Sequence, residues 1–506
     1  MSDTCELLFE LGTEELPPKS LLTLSRAFEQ NLIYRLEKMG LGHGDVNSFA
    51  TPRRLAVQIE NLVMSQPDTV VEKRGPALKA AFGNDGVATK AAAGFAASCG
   101  VMVDQLGTLK TEKGEWLSFK QEVTGATAAD LLPEIIQESL SALPIAKRMR
   151  WGDGSAEFAR PVHWAVLLLG NQIVSMEIMG VKSSNITYGH RFHRPDAIEI
   201  ESPSDYASTL YSLGKVVADF EERRAKIKQQ ATEIAESVGG IAHIEDALLE
   251  EVTALVEWPV PVIGKFDQRF LTLPSEVLIV TMQTNQKYFP VKDSHGNLLP
   301  FFITISNIES KNPAAVVRGN ERVILPRLSD AEFFWAQDRK NSLESRIVSL
   351  SHVVFQKKLG TLAEKTKRVE ALTQKIAEAL SIDPASAKQA AILAKADLLT
   401  EMVGEFPSLQ GLMGHYYALA DGEPEEVAVA IEEQYFPKQA GGALPGSQTG
   451  LILSLAEKLD TLSGIFSAGL IPSGDKDPYA LRRAAIGIIR IIIEKKLDLD
   501  LLPLIQ

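Results

Sequence analysis

The pattern of apolar residues changes sharply along the chain. Between about residues 5 and 305, short runs of strand-like alternation are interleaved with helical periodicity, whereas strand-like runs nearly disappear from about residue 331 onward. A length of 506 residues is enough for roughly three or four domains. We therefore predict a multidomain α+β protein with an N-terminal α+β region at 1–205, a helical insert plus β-rich module at 206–330, and a helical domain at 331–506.

Individual elements follow from the same periodicity. Residues 19–39 are predicted as a helix, since leucines and a phenylalanine recur at helical spacing, and Asp219 with Glu222 forms a capping-box-like helix start. The apolar run at 277–282 is predicted as a strand. A further helix is expected to begin after Asp383 and Pro384 and to end at Gly404.

Composition narrows the class of protein. The formal net charge is −13, which argues against wholesale coating of nucleic acid, although a local basic face remains possible. The two cysteines, Cys5 and Cys99, support neither a disulfide framework nor a zinc site, and a reducing cytoplasm is the expected compartment. The acidic start does not have the pattern of a signal peptide, and the apolar runs are too short to span a bilayer. We expect a cytoplasmic protein without a membrane partner.

Common catalytic signatures are missing from the sequence. It contains no phosphate-binding GxxxxGK[ST] loop, no GxGxxG after a strand, no HExxH and no GxSxG. We therefore expect no complete active site and no resident metal or cofactor in this chain.

Basic residues gather in a few short segments, some of them beside aromatic residues, as binding to unpaired RNA bases would require. The candidates for RNA phosphate contacts are Arg53, Arg54, Lys73, Arg74, Lys147, Arg148, Arg150, Arg191, Arg194, Arg482 and Arg483. The alternative for each cluster is a solvated face or a set of ion pairs with the abundant carboxylates.

Several long segments resemble one protein family. They are FELGTEELPP (9–18), TPRRLAV (51–57), KRGP (73–76), KRMRWGDGSAEFARPVHW (147–164), TYGHRFHRP (187–195), VEWPVPVIGKF (256–266), LPSEVLIVTMQTNQKYFPV (273–291), SDAEFFWAQDRK (329–340) and DPYALRRAAIGIIRII (477–492). In this order they closely resemble the beta-subunit family of the bacterial two-subunit glycine–tRNA ligases, over essentially the whole chain.

The resemblance implies a function and a set of partners. Such a ligase is a tetramer of two alpha and two beta chains that joins glycine to its tRNA. ATP and Mg²⁺ act at the alpha subunit, and the beta subunit recognises tRNA and supports the complex. No DNA partner is implied. The resemblance also implies a module similar to one in the beta chain of phenylalanine–tRNA ligase, then an HD-like helical domain. An anticodon-binding domain is expected to be absent, so that the chain represents a C-terminally truncated beta subunit.

The HD-like domain raises an alternative function. The resemblance places the His-Asp pair of HD-type phosphohydrolases at Ala396 and Asp397, the later aspartate at Asp460, and a first ligand at His352. Because alanine replaces the paired histidine, we expect a degenerate site without metal. Three hypotheses therefore remain: a tRNA-binding ligase subunit, a metal-dependent phosphohydrolase, and a scaffold that does not bind RNA.

Overall fold

The chain divides into two compact units. The computed structural model describes residues 3–83, 87–112, 114–474 and 476–505. The first, called the sheet unit, comprises Met1–Glu233, Ile244–Pro261 and Ile305–Lys311; the second, called the helical unit, comprises Ile234–His243, Val262–Thr304 and Asn312–Gln506. The predicted mixed α/β, multidomain fold is confirmed. The three-part division at residues 205 and 330 stays a prediction.

The sheet unit alternates strands and helices. Its strands are β1 (Thr4–Thr13), β2 (Val46–Thr51), β3 (Arg54–Val63), β4 (Thr69–Ala77), β5 (Gly107–Thr111), β6 (Gly114–Val123), β7 (Met149–Arg150), β8 (Glu157–Phe158), β9 (Val162–Leu169), β10 (Gln172–Ile173), β11 (Glu177–Ile178), β12 (Val181–Ser184), β13 (Ile186–Tyr188) and β14 (Ala197–Glu199). The helices that lie wholly or mostly in it are α1 (Pro18–Lys38), α2 (Leu78–Ala81), α3 (Lys90–Cys99), α4 (Ala128–Ser141), α5 (Tyr206–Ser212), α6 (Phe220–Glu236) and α7 (Asp246–Thr253).

Strand β1 is the centre of the main sheet. The strand order is β11-β12-β9-β1-β3-β2, with β10 paired to β9, and β1 runs antiparallel to both neighbours. Side chains alternate across a strand, so β1 supplies two cores. Leu7, Phe9 and Leu11 pack with helices α1 and α4, whereas Leu8 lies on the other face in the core that contains Trp164. Both faces of β1 are therefore buried.

Two sequence predictions in this unit are confirmed. Helix α1 matches the predicted helix at 19–39 within one residue at each end, and its apolar stripe, including Leu24, Phe28 and Leu32, is buried. Helix α6 begins after Asp219, whose carboxylate accepts the amide of Glu222 at 2.8 Å, as expected of an N-cap.

The helical unit combines a small antiparallel sheet with a large bundle. Its strands are β15 (Ile241–Ala242), β16 (Val260–Lys265), β17 (Phe289–Lys292), β18 (Leu298–Ser306), β19 (Val354–Gln356) and β20 (Gly360–Thr361). Its helices are α8 (Ser275–Gln286), α9 (Pro313–Asp338), α10 (Leu343–Arg346), α11 (Leu362–Ala379), α12 (Ala385–Leu393), α13 (Glu401–Glu405), α14 (Leu412–Ala420), α15 (Glu425–Glu433), α16 (Gln448–Ser467), α17 (Leu481–Glu494) and α18 (Leu502–Ile505). Helix α16 is buried over most of its length and contacts α11, α12, α15 and α17.

Two predictions in the helical unit are wrong. The segment predicted as a strand at 277–282 lies in helix α8, where Val277, Leu278, Thr281 and Met282 are buried at helical spacing. Core packing therefore overrides the strand preference of its β-branched residues. The helix predicted to end at Gly404 breaks instead into α12, a 3-10 turn at Ala396–Leu399 and α13.

A buried arginine joins distant parts of the sheet unit. Arg54 opens β3 and is fully buried. Its Nη1 lies 3.4 Å from Oε1 of Glu10 on β1, and its Nη2 lies 3.3 Å from Oε1 of Glu257. Nη2 also donates to the carbonyl of Tyr188 at 2.8 Å. Burial by itself disfavours the charge, but the carboxylates of Glu257 and Glu10 outweigh it and raise the pKa of Arg54 above its usual value.

Glu10 extends this network across the sheet. Its Oε1 accepts hydrogen bonds from the indole Nε1 of Trp164 on β9 and from the hydroxyl of Thr187 on β13, both at 2.8 Å. Glu257 accepts the hydroxyl of Thr51 at 2.7 Å. Arg54, one of the predicted RNA contacts, is thus enclosed by its own unit. The prediction is corrected, because a guanidinium with no exposed surface does not reach a phosphate in this fold.

We predict that Arg54→Gln lowers the free energy of unfolding by about 3–5 kcal/mol, because it leaves the buried carboxylates of Glu10 and Glu257 without their cation. Urea titration followed by tryptophan fluorescence measures the change. The matched control is Arg53→Gln at the neighbouring, half-buried position, which should shift the value by less than about 1 kcal/mol. Equal losses in the two variants would contradict the ion-pair account.

Candidate functional site

Four of the sequence segments quoted above meet at one cavity of the sheet unit. The cavity has a volume of about 270 Å³. It is lined by Arg53, His163, Trp164, Tyr188, Gly189, Arg191 and Pro195, and we call it the arginine cleft. The acidic segment at the end of β1 contributes Glu14, which contacts two of the lining side chains.

A tight hairpin places Arg53 in the cleft. Strands β2 and β3 pair antiparallel with Thr51 opposite Arg54, so only Pro52 and Arg53 form the turn. The carbonyl of Arg53 accepts the amide of Thr13 at 2.8 Å, and the carbonyl of Pro52 accepts the amide of Leu16 at 2.6 Å. These bonds fix the turn against the segment that follows β1. Adjacent arginines therefore have opposite environments: Arg54 is buried, and Arg53 lines a cavity.

Trp164 forms the inner wall of the cleft. Its indole nitrogen is held by Glu10, and the guanidinium of Arg53 lies 5.5 Å from its ring centroid. A Cβ at Gly12 would lie 1.9 Å from Cε2 of the indole, so glycine is required where β1 passes beneath the ring. The rings of Trp164 and Tyr188 meet edge to face, with their centroids 5.1 Å apart. The wall is therefore rigid and aromatic.

The cations of the cleft differ in their partners. Arg191 donates through Nη2 to Glu14 and through Nη1 to Glu15, both at 2.7 Å, and His163 Nε2 lies 3.1 Å from Glu14. The hydrogen bond from Arg191 lowers the pKa of Glu14 and raises that of Arg191. Arg53 has no such partner among the described residues, and its buried Nε has no hydrogen bond. Burial lowers the pKa of Arg53 from its usual value.

Strands β4, β6 and β5 form a separate three-stranded sheet, on which the predicted basic residues are exposed. Lys73 and Arg74 lie on β4, and the guanidinium of Arg74 stacks 3.8 Å from the ring centroid of Trp116 on the neighbouring strand β6. This arrangement of cation and aromatic ring is a common feature of surfaces that bind nucleic acid.

The segment at 147–150 divides into exposed and bonded cations. Lys147 is exposed. Arg148 donates to the carbonyl of Ser141 at 2.9 Å, and Arg150 on β7 pairs with Glu157 on β8 at 2.7 Å. Both sides of the second pair are largely exposed to solvent, so the pair is weak and can be exchanged for another anion.

The remaining predicted cations lie in two places. Arg194 pairs with Asp196 at 3.1 Å in the exposed loop that leads away from the arginine cleft. Arg482 and Arg483 are exposed in the first turn of α17, and Arg483 donates to the carbonyl of Lys438 at 3.2 Å. The structure thus brings Arg53 and Arg191 together in one cavity. Their contact with RNA stays a prediction.

Carboxylates at the predicted HD positions are held by protein groups. Asp460 binds Lys365 Nζ at 2.9 Å and Arg368 Nε at 2.6 Å. The ammonium of Lys365 also lies 3.2 Å from Glu457, which lies 3.3 Å from Lys395. Burial opposes the charge of Glu457, but the two lysines outweigh it and lower its pKa. Both carboxylates are therefore neutralised by cationic side chains of the chain itself.

The other two predicted HD residues form no ion pair with these cations among the described residues. His352 is exposed at the end of the 3-10 turn Ile347–His352. Asp397 is buried, and its Oδ2 accepts the amides of Gly411 at 2.5 Å and Gly414 at 3.2 Å. In the described part of the chain, no group of three or more His, Cys, Asp or Glu side chains is arranged to hold a metal ion. Nor does any described helix have the length and apolar character needed to cross a bilayer.

Sequence reasoning missed Glu14, His163, Trp164 and Tyr188 as parts of one site. None of them belongs to a cluster of basic charge, which was the feature used to select candidates. The available signal was different: all four lie in segments of family resemblance. Convergence of these segments in space was the information that the sequence did not contain.

We predict a distinctive pH dependence from Asp397. Burial raises its pKa to about 6 from the ordinary 3.8, although the amides of Gly411 and Gly414 act in the opposite direction. Between pH 4 and pH 6 the unfolded chain loses this proton while the folded chain keeps it, so stability falls as the pH rises. The total fall is about 3 kcal/mol by pH 7.

Urea titrations at pH 4 and pH 7 measure this effect. Asp397→Asn keeps an oxygen acceptor for the two amides but has no proton to lose, so its loss of stability between the two pH values should be smaller than that of the wild type. Asp498→Asn, at an exposed position of the same unit, is the control and should follow the wild type. Parallel profiles for all three proteins would contradict the assignment.

Comparison with known proteins assigns this sequence to a family. The sequence matches the glycyl-tRNA synthetase beta subunit family over residues 7–506. It is 54% identical over 501 residues to the glycine–tRNA ligase beta subunit of Hahella chejuensis, covering 99% of this chain and 72% of that protein. The corresponding protein of Marinobacter nauticus is 53% identical over 499 residues, with 98% and 72% covered. The predicted family is confirmed: the chain belongs to the beta subunits of glycyl-tRNA synthetase.

Proposed function

We propose that this chain is the tRNA-recognising and supporting subunit of a glycine–tRNA ligase. The observation that carries the proposal is the identity of 54% to a named beta subunit across 99% of the chain. In the proposed complex, two copies pair with two alpha subunits, and ATP, Mg²⁺ and the chemistry of glycine activation belong to the alpha subunit. This chain supplies binding and orientation.

The distribution of charge supports a role in RNA binding. A chain with a net charge of −13 binds RNA only where cations are concentrated. Exposed cations occur on β4, near β7 and at the start of α17. Contacts of this kind neutralise phosphates and fix the orientation of the RNA, whereas they read little of its base sequence. Orientation alone contributes to catalysis when it brings a reactive end toward a distant active site.

We also propose the finer fold assignments. The sheet unit would correspond to the module shared with the beta chain of phenylalanine–tRNA ligase, and the bundle around α16 to an HD-like domain whose metal site has been replaced. The pairing of Asp460 with Lys365 and Arg368 supports the second assignment, since ammonium and guanidinium groups neutralise a carboxylate that would otherwise bind a metal. Phosphohydrolase chemistry gains no support from this arrangement.

A scaffold that does not bind RNA is the second candidate. The ion pairs of Arg150, Arg191 and Arg194 with nearby carboxylates favour it, because paired cations on a surface need no RNA to explain them. The two functions differ in one measurable property, the dependence of RNA binding on salt concentration.

We predict that the chain forms a stable complex with the alpha subunit of a glycine–tRNA ligase. Size-exclusion chromatography with light scattering should show the mass of two chains of each kind. A folded chain that elutes alone at micromolar concentrations of both proteins would contradict the proposal. Circular dichroism of the same sample provides the control for folding.

We predict that Arg148→Glu combined with Arg150→Glu weakens binding of glycine tRNA by this complex. Each lost phosphate contact should lower the slope of log Kd against log salt concentration by about 0.9. The matched control is Lys495→Glu with Lys496→Glu, an equal change of charge at exposed positions outside the predicted clusters. Equal weakening by both pairs would show an effect of net charge and contradict a specific contact at Arg148 and Arg150.

A further inference from the structure

Arg53 differs from the other arginines around it. Arg54 and Arg191 each bind carboxylates, and Arg223 donates to backbone carbonyls, including Val217 and Ala50 at 2.6 Å. Arg194 pairs with Asp196. The guanidinium of Arg53 has only the face of Trp164, and its Nε is buried without an acceptor. A buried polar group is stabilised by a hydrogen-bond partner, and a ligand that enters the cleft can supply one to Arg53.

The contacts of Arg191 and His163 indicate which kind of group the cleft can bind. Arg191 and His163 together bind the carboxylate of Glu14, so they are correctly placed for an oxyanion. A guanidinium has five N–H donors, and Arg191 uses Nη1 and Nη2 for Glu15 and Glu14. Donors of Arg191 therefore remain after these pairs form. Arg53 differs in that no described carboxylate lies within ion-pair distance of its guanidinium, although Glu257 and Glu14 act on its charge from farther away.

The volume of the cleft fits a group larger than a simple ion. A cavity of about 270 Å³ is several times larger than the roughly 30 Å³ that one water molecule occupies in the liquid. A phosphate presents three strong acceptor oxygens, which matches donors from two guanidinium groups and an imidazole better than the two oxygens of a carboxylate. The remaining space accommodates the sugar to which a phosphate is attached.

We propose that the arginine cleft is a phosphate-binding site, with Arg53 as the main ligand and Arg191 as the second, and that the phosphate belongs to RNA or to a free nucleotide. The RNA source rests on the proposed function, whereas the free-nucleotide source is independent of it. Trp164 and Tyr188 form the wall against which the ligand lies. Gly12 permits this wall, because any side chain there would displace the indole.

Isothermal titration of the full chain with AMP tests the site directly. Adenosine provides the probe without phosphate, and acetate the probe with a carboxylate. We expect AMP to bind the wild type and Arg53→Gln to raise its Kd at least tenfold, with adenosine and acetate giving no binding at the same concentrations. The matched control is Arg224→Gln, which removes a partly exposed arginine from α6 and should bind AMP as the wild type does.

Binding of tRNA to the complex with the alpha subunit distinguishes the two sources. If the phosphate belongs to RNA, Arg53→Gln raises the Kd for tRNA and lowers the salt slope by about one, whereas Arg224→Gln does not. If Arg53→Gln loses AMP binding but binds tRNA as the wild type does, the phosphate belongs to a free nucleotide, and the phosphate site is still supported. Equal binding of AMP and tRNA by wild type and Arg53→Gln would overturn the proposal, as would acetate or adenosine binding as tightly as AMP.

Failure of the proposed function gives a different result. A wild-type chain that binds neither the alpha subunit nor tRNA removes the RNA source, and the AMP titration then decides the proposal alone. In that case, absence of AMP binding by the wild type overturns it. Arg191→Gln is the second variant if Arg53→Gln does not fold: AMP binding that is unchanged in a folded Arg191→Gln protein also counts against the site.

Discussion

The ion-pair network of the sheet unit centres on the buried guanidinium of Arg54. Arg54 binds Glu10 and Glu257, two carboxylates that are more than two hundred residues apart in the sequence and would each be unstable in the interior without it. Through Glu10 the same charge fixes the indole of Trp164 on the neighbouring strand. The central strand, the segment before β16 and the wall of the arginine cleft are thus held by one electrostatic centre. Local packing around β1 alone would not link them.

In the helical unit, buried carboxylates are neutralised mainly by lysine side chains. Carboxylates at the centre of a bundle need cations, and a metal or a side chain can supply them. In this chain Lys365 and Lys395 share Glu457, while Lys365 and Arg368 share Asp460. Such an arrangement keeps the buried charges balanced without a metal.

The sequence predicted structure well where one element explains its own pattern. Helix α1 follows from its apolar stripe, and the start of α6 follows from Asp219, because both signals are local. The segment at 277–282 was predicted wrongly because its β-branched residues favour strands. In the structure it forms a helix, because its apolar residues are buried at helical spacing. Arg53 and Arg54 could not be distinguished from sequence. Their different environments come from residues such as Glu257, far away in the chain, and adjacent arginines look alike until that partner is placed.

The two-residue turn between β2 and β3 couples the position of the buried Arg54 to that of Arg53 in the arginine cleft. With Thr51 opposite Arg54, only Pro52 and Arg53 lie between the strands. An insertion or deletion of one residue there would reverse which side chains face inward, since neighbouring positions of a strand point to opposite faces. It would expel Arg54 from the interior and remove Arg53 from the cleft in a single step. Homologues that vary freely in loop length elsewhere should therefore keep this turn at the same length, and engineered insertions belong at other loops of the sheet unit.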